Sequence, residues 1–395
     1  MLDFTFTPEE QAMQKELKKL CRNEIRPRAW AVDRDPQHNF DMDMVRILAE
    51  NEYLGMLTPE EYGGAGASFM SLGLATEELA YSDAGVATSV GICWAMQLML
   101  ILEGNPYHME KYLPMLSSPK GNLAALSTTE PGGGSDQLSL ARFRPGFTQT
   151  TAVRNGNHYL VNGSKQFTTN GGLADLYLVY ATADVEAGHE ATLQLLVEGD
   201  APGISFGPFE DKMGQRASPT ACVYFKDVKV PVENLYGEEG KGLEYNEKRL
   251  MPLSRGAVGL IAVGIARAAY DEAVKYARTR VQGGKPIIRH QAVSMMLADM
   301  ATKIQAARWL AYYALWKNIE TLGGEPGLSC MAKTFCSDVA VRVTMDAMQI
   351  MGGYGYMKDN IVEKLMRDAK LTQIYEGTNQ ICRLDLMEYG APKIP

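Results

Sequence analysis

The chain has 395 residues, 46% apolar and 22% charged, which suits a globular protein of two or three layers and excludes a disordered one. A formal charge of −8, with no basic block to offset it, argues against nucleic acid as the main partner. Cys21, Cys93, Cys222, Cys330, Cys336 and Cys382 lie scattered, without CxxC pairs or zinc-like spacing, so reduced thiols in a cytoplasmic protein are expected and a metal site is not.

In chain order, residues 1–4 run straight into Thr7-Pro8-Glu9-Glu10, a helix-start signal with no secretory or Arg-rich transit segment before it. Apolar residues three and four apart, as in Met44, Ile47 and Leu48 and then Leu72 and Leu79, predict helices to about Leu116, interrupted by a glycine-rich loop from Pro59 to Gly66. The stretch from Ala87 to Met99 offers Val90, Ile92, Trp94 and Met96 and no Lys or Arg. From Leu123 to Leu235 the period shortens to that of strands. His158–Val161, Leu176–Tyr180, Thr192–Val197 and Ala221–Phe225 are β-rich runs, with turn chemistry at Asn155-Gly156 and Asn162-Gly163.

From Leu243 to Leu386 the helical period returns. Val293, Met296, Leu297, Met300, Ile304, Ala307 and Leu310 form one stripe, and Gly323-Gly324-Glu325-Pro326 separates that helix from the next. The most apolar run, Gly256 to Ala269, is too short and too rich in Gly and Ala to span a bilayer. The expected architecture is α+β: an N-terminal α-helical domain over 1–120, a middle β-barrel or sandwich-like domain over 121–237, and a C-terminal four-helix bundle over 238–395. No GxGxxG follows a strand and no GxxxxGK[ST] occurs, which argues against a Rossmann nicotinamide enzyme.

Three motifs could carry chemistry. Thr128-Thr129-Glu130-Pro131-Gly132-Gly133-Gly134-Ser135-Asp136 supplies hydroxyls and unhindered amides for an anionic or carbonyl-rich ligand, or is a surface turn. Lys165-Gln166-Phe167-Thr168-Thr169-Asn170 places an aromatic beside hydroxyls, suited to a planar cofactor or to an ordinary hairpin end. Tyr375-Glu376-Gly377-Thr378-Asn379-Gln380 breaks a helical segment with a carboxylate next to glycine. Glu376 is the best candidate for a base that takes a proton from carbon; a helix-capping loop glutamate is the alternative.

Together with Gln349-Ile350-Met351-Gly352-Gly353-Tyr354-Gly355-Tyr356, these motifs resemble the signatures of the acyl-CoA dehydrogenase family of FAD enzymes, in order and along the whole chain. The resemblance implies a flavin ring beside Leu126, Thr128, Thr129, Phe167 and Thr169, with Ser135 at the pyrophosphate or the CoA chain. It implies that Arg280, Gln291, Gln349 and Gly353 reach the FAD of a neighbouring subunit, with Thr378 and Gln380 on the adenosine side. Ser135, Tyr375 and Gly377 would meet substrate. Glu376 would remove the α-proton of an acyl-CoA thioester while the β-hydride passes to the flavin, its backbone N–H helping to hold the enolate oxygen.

Some members carry the base on the helix around residues 250–256, but here Leu250-Met251-Pro252-Leu253-Ser254-Arg255-Gly256 has no carboxylate. Arg249 and Arg255 are candidate contacts for CoA phosphates. The chain departs from the family at Leu126, at Phe167 and at Gly283, where an aromatic, Trp and Phe are usual. Further expectations are a short, branched or alicyclic acyl group, electron transfer to an electron-transferring flavoprotein, and a homotetramer built as a pair of dimers. An oxidase-like flavoprotein and a non-catalytic or DNA-associated relative are the competing readings.

Overall fold

The computed structural model describes residues 5–35, 37, 39–321 and 324–389; residues 1–4 and Gly323 of the expected helix break lie outside them. Helices α1 (Pro8–Leu20), α2 (Arg26–Arg34), α3 (Asp43–Glu50), α4 (Phe69–Ser82), α5 (Ala84–Glu103) and α6 (Pro106–Leu116) come first. The start of α1 is a reciprocal capping box, in which the Glu10 N–H donates to Thr7 Oγ1 at 3.2 Å and the Thr7 N–H to Glu10 Oε2 at 2.9 Å. Asp83 ends α4 and caps α5 by accepting from the Val86 N–H at 3.1 Å, so two buried helices turn on a single residue.

Strands β1 (Ala124–Ser127), β2 (Thr151–Asn155), β3 (His158–Thr169), β4 (Leu176–Thr182), β5 (Thr192–Glu198), β6 (Ile204–Phe206), β7 (Thr220–Pro231) and β8 (Leu235–Tyr236) form one mixed sheet. Its order is β6-β7-β3-β2-β4-β5-β8, with β1 parallel to β4. The four β-rich runs fall in β3, β4, β5 and β7. Asn155-Gly156 does open a tight hairpin, since Asn155 pairs with His158. Asn162-Gly163 does not turn the chain: it lies inside β3 at a shift in register against β7. Glycine is needed there for close approach, because a Cβ would sit 2.6 Å from the Thr150 Cα.

After the short α7 (Gly242–Tyr245) and a π-helical turn over Asn246–Leu250, the C-terminal region packs α8 (Met251–Thr279), α9 (Gln291–Glu320) and α10 (Pro326–Met351), followed by α11 (Ile361–Leu371) and α12 (Asn379–Glu388). The stripe on α9 faces inward, with Leu297, Met300, Ile304 and Ala307 buried. The apolar run from Gly256 extends into a longer helix than expected. Both Ala84–Glu103 and Gly242–Thr279 are long and apolar enough to cross a membrane by length and composition, and their most apolar windows are 72% and 83% buried inside the protein. Here they form the centre against which the sheet and the last helices pack.

Candidate active site

Glu376 lies between α11 and α12, where Glu376 and Gly377 are both left-handed, with φ of 55° and 84°. Glycine adopts this conformation freely; for glutamate it costs about 1–2 kcal/mol and persists only where neighbours over-determine the backbone. Those neighbours come from three parts of the chain. Ser254 Oγ, on α8, donates to Glu376 Oε2 at 2.9 Å, and Arg255 Nε donates to the Glu376 carbonyl at 3.2 Å. Lys333 Nζ, on α10, donates to the Gly377 carbonyl at 2.7 Å. The Thr378 N–H donates to Ser135 Oγ at 3.1 Å, and the Thr378 hydroxyl caps α12 by accepting from the Ile381 N–H at 3.2 Å. The Glu376 N–H makes no hydrogen bond among the described residues.

A cavity of about 760 Å³ opens in front of this loop. Leu126, Thr128, Thr129 and Ser135 line one side of it with Phe167 and Thr169 of β3, and Tyr375, Glu376, Gly377 and Thr378 line another. Helices α5 and α8 supply apolar walls that include Gly91, Ile92, Trp94, Leu253, Ala257 and Ile261. Val90 and Met96 do not reach the cavity and are fully buried core. Phe167 gets there through a second register shift in β3, between Lys165 and Thr168, where its φ of 56° leaves the side chain 57% exposed. Beneath the threonines, the buried Lys165 ammonium bonds Glu130 Oε1 at 2.7 Å and the Thr128 carbonyl at 3.1 Å. Burial pulls Lys165 down to about 8, against the opposing pull of Glu130.

Ten of the expected residues therefore meet around one cavity: Leu126, Thr128, Thr129, Ser135, Phe167, Thr169, Tyr375, Glu376, Gly377 and Thr378. Arg280 and Gly353 line a second cavity of about 650 Å³ with Tyr276, Gln282 and Tyr354, and the two linings share no residue. The Arg280 guanidinium stands 5.5 Å from the centre of the Tyr354 ring. Gln291, Gln349 and Gln380 are exposed and line neither cavity, although His290 and Ile350, next to the first two, line the second. Gly283 and Gly284, at φ of 59° and 78°, make the two-residue turn between Gln282 and Lys285, which accounts for glycine at the first position. Arg255 is not a surface cation open to CoA phosphates: it is 1% exposed, with Nη2 2.7 Å from Asp385 Oδ2. Arg249 stacks over the Tyr245 ring at 4.3 Å.

Sequence reasoning missed Ser254, Arg255 and Lys333 as partners of the Glu376 loop. Ser254 could have been found, because its stretch was read for a carboxylate when a hydroxyl facing Glu376 was the relevant group. Arg255 and Lys333 carry no such local signal, since their partners are 121 and 44 residues away.

The fold and this cavity define a flavin-dependent dehydrogenase architecture. The acyl-CoA dehydrogenase N-terminal, middle and C-terminal domain families match residues 7–120, 125–228 and 240–390. The cyclohex-1-ene-1-carbonyl-CoA dehydrogenase of Syntrophus aciditrophicus (strain SB) is 40% identical over 378 residues, covering 96% of this chain and 89% of the relative. The butyryl-CoA dehydrogenase from Megasphaera elsdenii superposes with a TM-score of 0.91 at 38% identity, covering 98% of this chain and 99% of that one. A chain solved in work on the electron transferring flavoprotein of Acidaminococcus fermentans gives 0.90 at 39% identity, covering 98% and 99%.

The chain belongs to the acyl-CoA dehydrogenase family: it is an oxidoreductase acting on CH–CH groups, and FAD is its cofactor. The residues present fit that group. Thr128, Thr129 and Thr169 line the cavity beside the turned-out Phe167 ring, a donor set and an apolar face suited to a flat ring with polar edges.

Proposed function

We propose that the protein catalyses α,β-dehydrogenation of an acyl-CoA thioester, with Glu376 as the base that takes the α-proton. The observation that carries this reading is the strained Glu376 loop, lining the same cavity as Thr128, Thr129, Phe167 and Thr169. Bound FAD supplies the acceptor for the β-hydride. Glu376 approaches the substrate carbon from the loop side, and its unpartnered N–H is a donor for the thioester oxygen as negative charge develops there. Apolar walls from α5 and α8 exclude water, which strengthens both interactions.

The acyl group is read as short, branched or alicyclic. Gly91 supports this, because it lines the cavity and a Cβ there would meet nothing among the described residues beyond its own stretch of helix. The similarity to dehydrogenases of butyryl-CoA and cyclohex-1-ene-1-carbonyl-CoA supports it too. Electrons then pass to an electron-transferring flavoprotein. The chain is read as three domains, 1–120, 121–237 and 238–395, acting in a homotetramer. In that assembly Arg280 and Gly353 serve the FAD of a neighbouring copy, as their separate cavity suggests.

The test is anaerobic flavin bleaching by butyryl-, isobutyryl- and cyclohexane-carbonyl-CoA. Glu376→Gln should retain FAD and lose at least about a hundredfold in rate. A near-normal rate in that variant overturns the assignment. Reoxidation in air that matches turnover without added flavoprotein would instead favour an oxidase.

A further inference from the structure

Behind the Glu376 loop, two cations hold consecutive carbonyls: Arg255 that of Glu376 and Lys333 that of Gly377. Lys333 is fully buried, and its other bond, at 2.8 Å, goes to Asn379 Oδ1 in the first turn of α12. Both acceptors are neutral amide oxygens, so among the described residues no carboxylate hydrogen-bonds this ammonium in return for its desolvation. The charged and titratable groups around it are Arg255 from α8, Glu376 from the loop, Cys382 from α12 and Asp338 from its own helix.

A peptide unit is planar, so fixing the Gly377 carbonyl also fixes the Thr378 N–H on its far side, which donates to Ser135. The loop is thereby held at both faces of one peptide, next to a glutamate whose backbone is strained.

We propose that Lys333 is a positioning residue for proton abstraction, its buried ammonium holding the Gly377 carbonyl so that the Glu376 carboxylate stays aimed into the cavity. The inference rests on Glu376 as the base. Burial pulls Lys333 down to about 8. Below that pH the lysine is charged and grips the carbonyl through a charge-assisted bond; above it the bond weakens. Burial also pulls down Lys165, beneath Thr128, and Lys212, on the cavity wall, so the comparison with Lys333→Arg is what isolates Lys333.

The experiment uses the FAD-loaded enzyme and whichever of butyryl-CoA and cyclohexane-carbonyl-CoA bleaches the wild type faster. Lys333→Met should slow flavin reduction by about tenfold or more, with KM within about threefold and FAD content unchanged, and Lys333→Arg should recover most of the rate. Amide hydrogen exchange across residues 373–380 should quicken in Lys333→Met. The wild-type reduction rate should fall between about pH 7 and about pH 9.5, and that fall should be smaller in Lys333→Arg.

A Lys333→Met protein in which residues 373–380 exchange no faster than in the wild type overturns the inference. So does a Lys333→Met protein that keeps FAD and reduces it at the wild-type rate. Glu376→Gln separates the two ideas: rapid reduction there overturns the base, whereas slow reduction there beside an unaffected Lys333→Met overturns only the role of Lys333.

Discussion

Ser254 Oγ donates to Glu376 Oε2 at 2.9 Å, joining α8 to a loop 122 residues further along the chain. The hydroxyl has one proton, and the Glu376 oxygen at 2.9 Å outcompetes the Met251 carbonyl of its own helix at 3.5 Å for it, which sets the direction of the bond. That direction holds one carboxylate oxygen and leaves the other free to face substrate. Ser254→Ala removes an interaction with a charged acceptor, a class worth about 1.5–3 kcal/mol. Since the bond orients the group that reacts, the loss should appear in the rate of flavin reduction, about tenfold, and hardly in KM. Rapid-mixing reduction kinetics would check this, and an unchanged rate would show that the loop alone orients Glu376.

Gly377→Ala tests the backbone instead. Gly377 has φ of 84°, and a Cβ there would come 3.1 Å from Arg255 Nη2. The left-handed conformation costs a non-glycine residue about 1–2 kcal/mol, and Arg255 must also give way from its carbonyl. The variant should unfold at lower urea concentration than the wild type and reduce its flavin more slowly. Equal stability would mean that the loop has another conformation of similar energy.

How much of this was legible in the sequence varies by residue. Glu376 stood out because glycine beside it and a helical run before it mark a break, and a break is where a side chain meets open space. The strands from His158, Leu176, Thr192 and Ala221 were visible by their β-branched and aromatic runs. Phe167 was visible as an aromatic next to hydroxyls, but not its register shift or its φ of 56°, since phenylalanine gives no sign of a left-handed residue. Asn162-Gly163 misled because the same pair suits a hairpin turn and a bulge pressed against Thr150; only tertiary contact decides. Nothing in the sequence marks Lys333, because burial of its charge depends on how α8, α12 and the Glu376 loop pack against α10.

Glu130 and Lys165 offer a test by pH. Both are buried, and burial pulls Lys165 down to about 8 from 10.5. Glu130→Gln leaves the ammonium without its carboxylate, which for a buried pair costs about 3–5 kcal/mol. A lysine with a lowered folded value is charged against the preference of its site below that value, and it sheds its proton as pH rises. Glu130 raises the lysine against burial, so without it the lysine sheds its proton at a pH below the wild-type value of about 8; the penalty should therefore shrink as pH rises toward about 8 and stay level above it, where both folded proteins hold a neutral lysine. Urea unfolding of both proteins at these pH values measures it. A penalty that grows with pH would contradict the charge state assigned here.

Gly91 lets the width of the cavity be changed without disturbing its chemistry. It lies within α5 and lines the cavity, and beyond its own stretch of helix no atom of the described residues comes within 4 Å of where a Cβ would stand. Glycine in a helix interior is less favourable than alanine by about 1 kcal/mol, so Gly91→Ala should leave stability equal or higher. Gly91→Leu should do little harm to folding and fill space beside Ile92 and Ala95, both of which also line the cavity. A ring needs that breadth more than a straight chain does. The rate of flavin reduction by cyclohexane-carbonyl-CoA should accordingly fall further than that by butyryl-CoA, by about tenfold in the ratio of kcat/KM values, the size of effect that small changes in an apolar pocket produce. An equal fall for both substrates would place Gly91 near the thioester rather than around the acyl group.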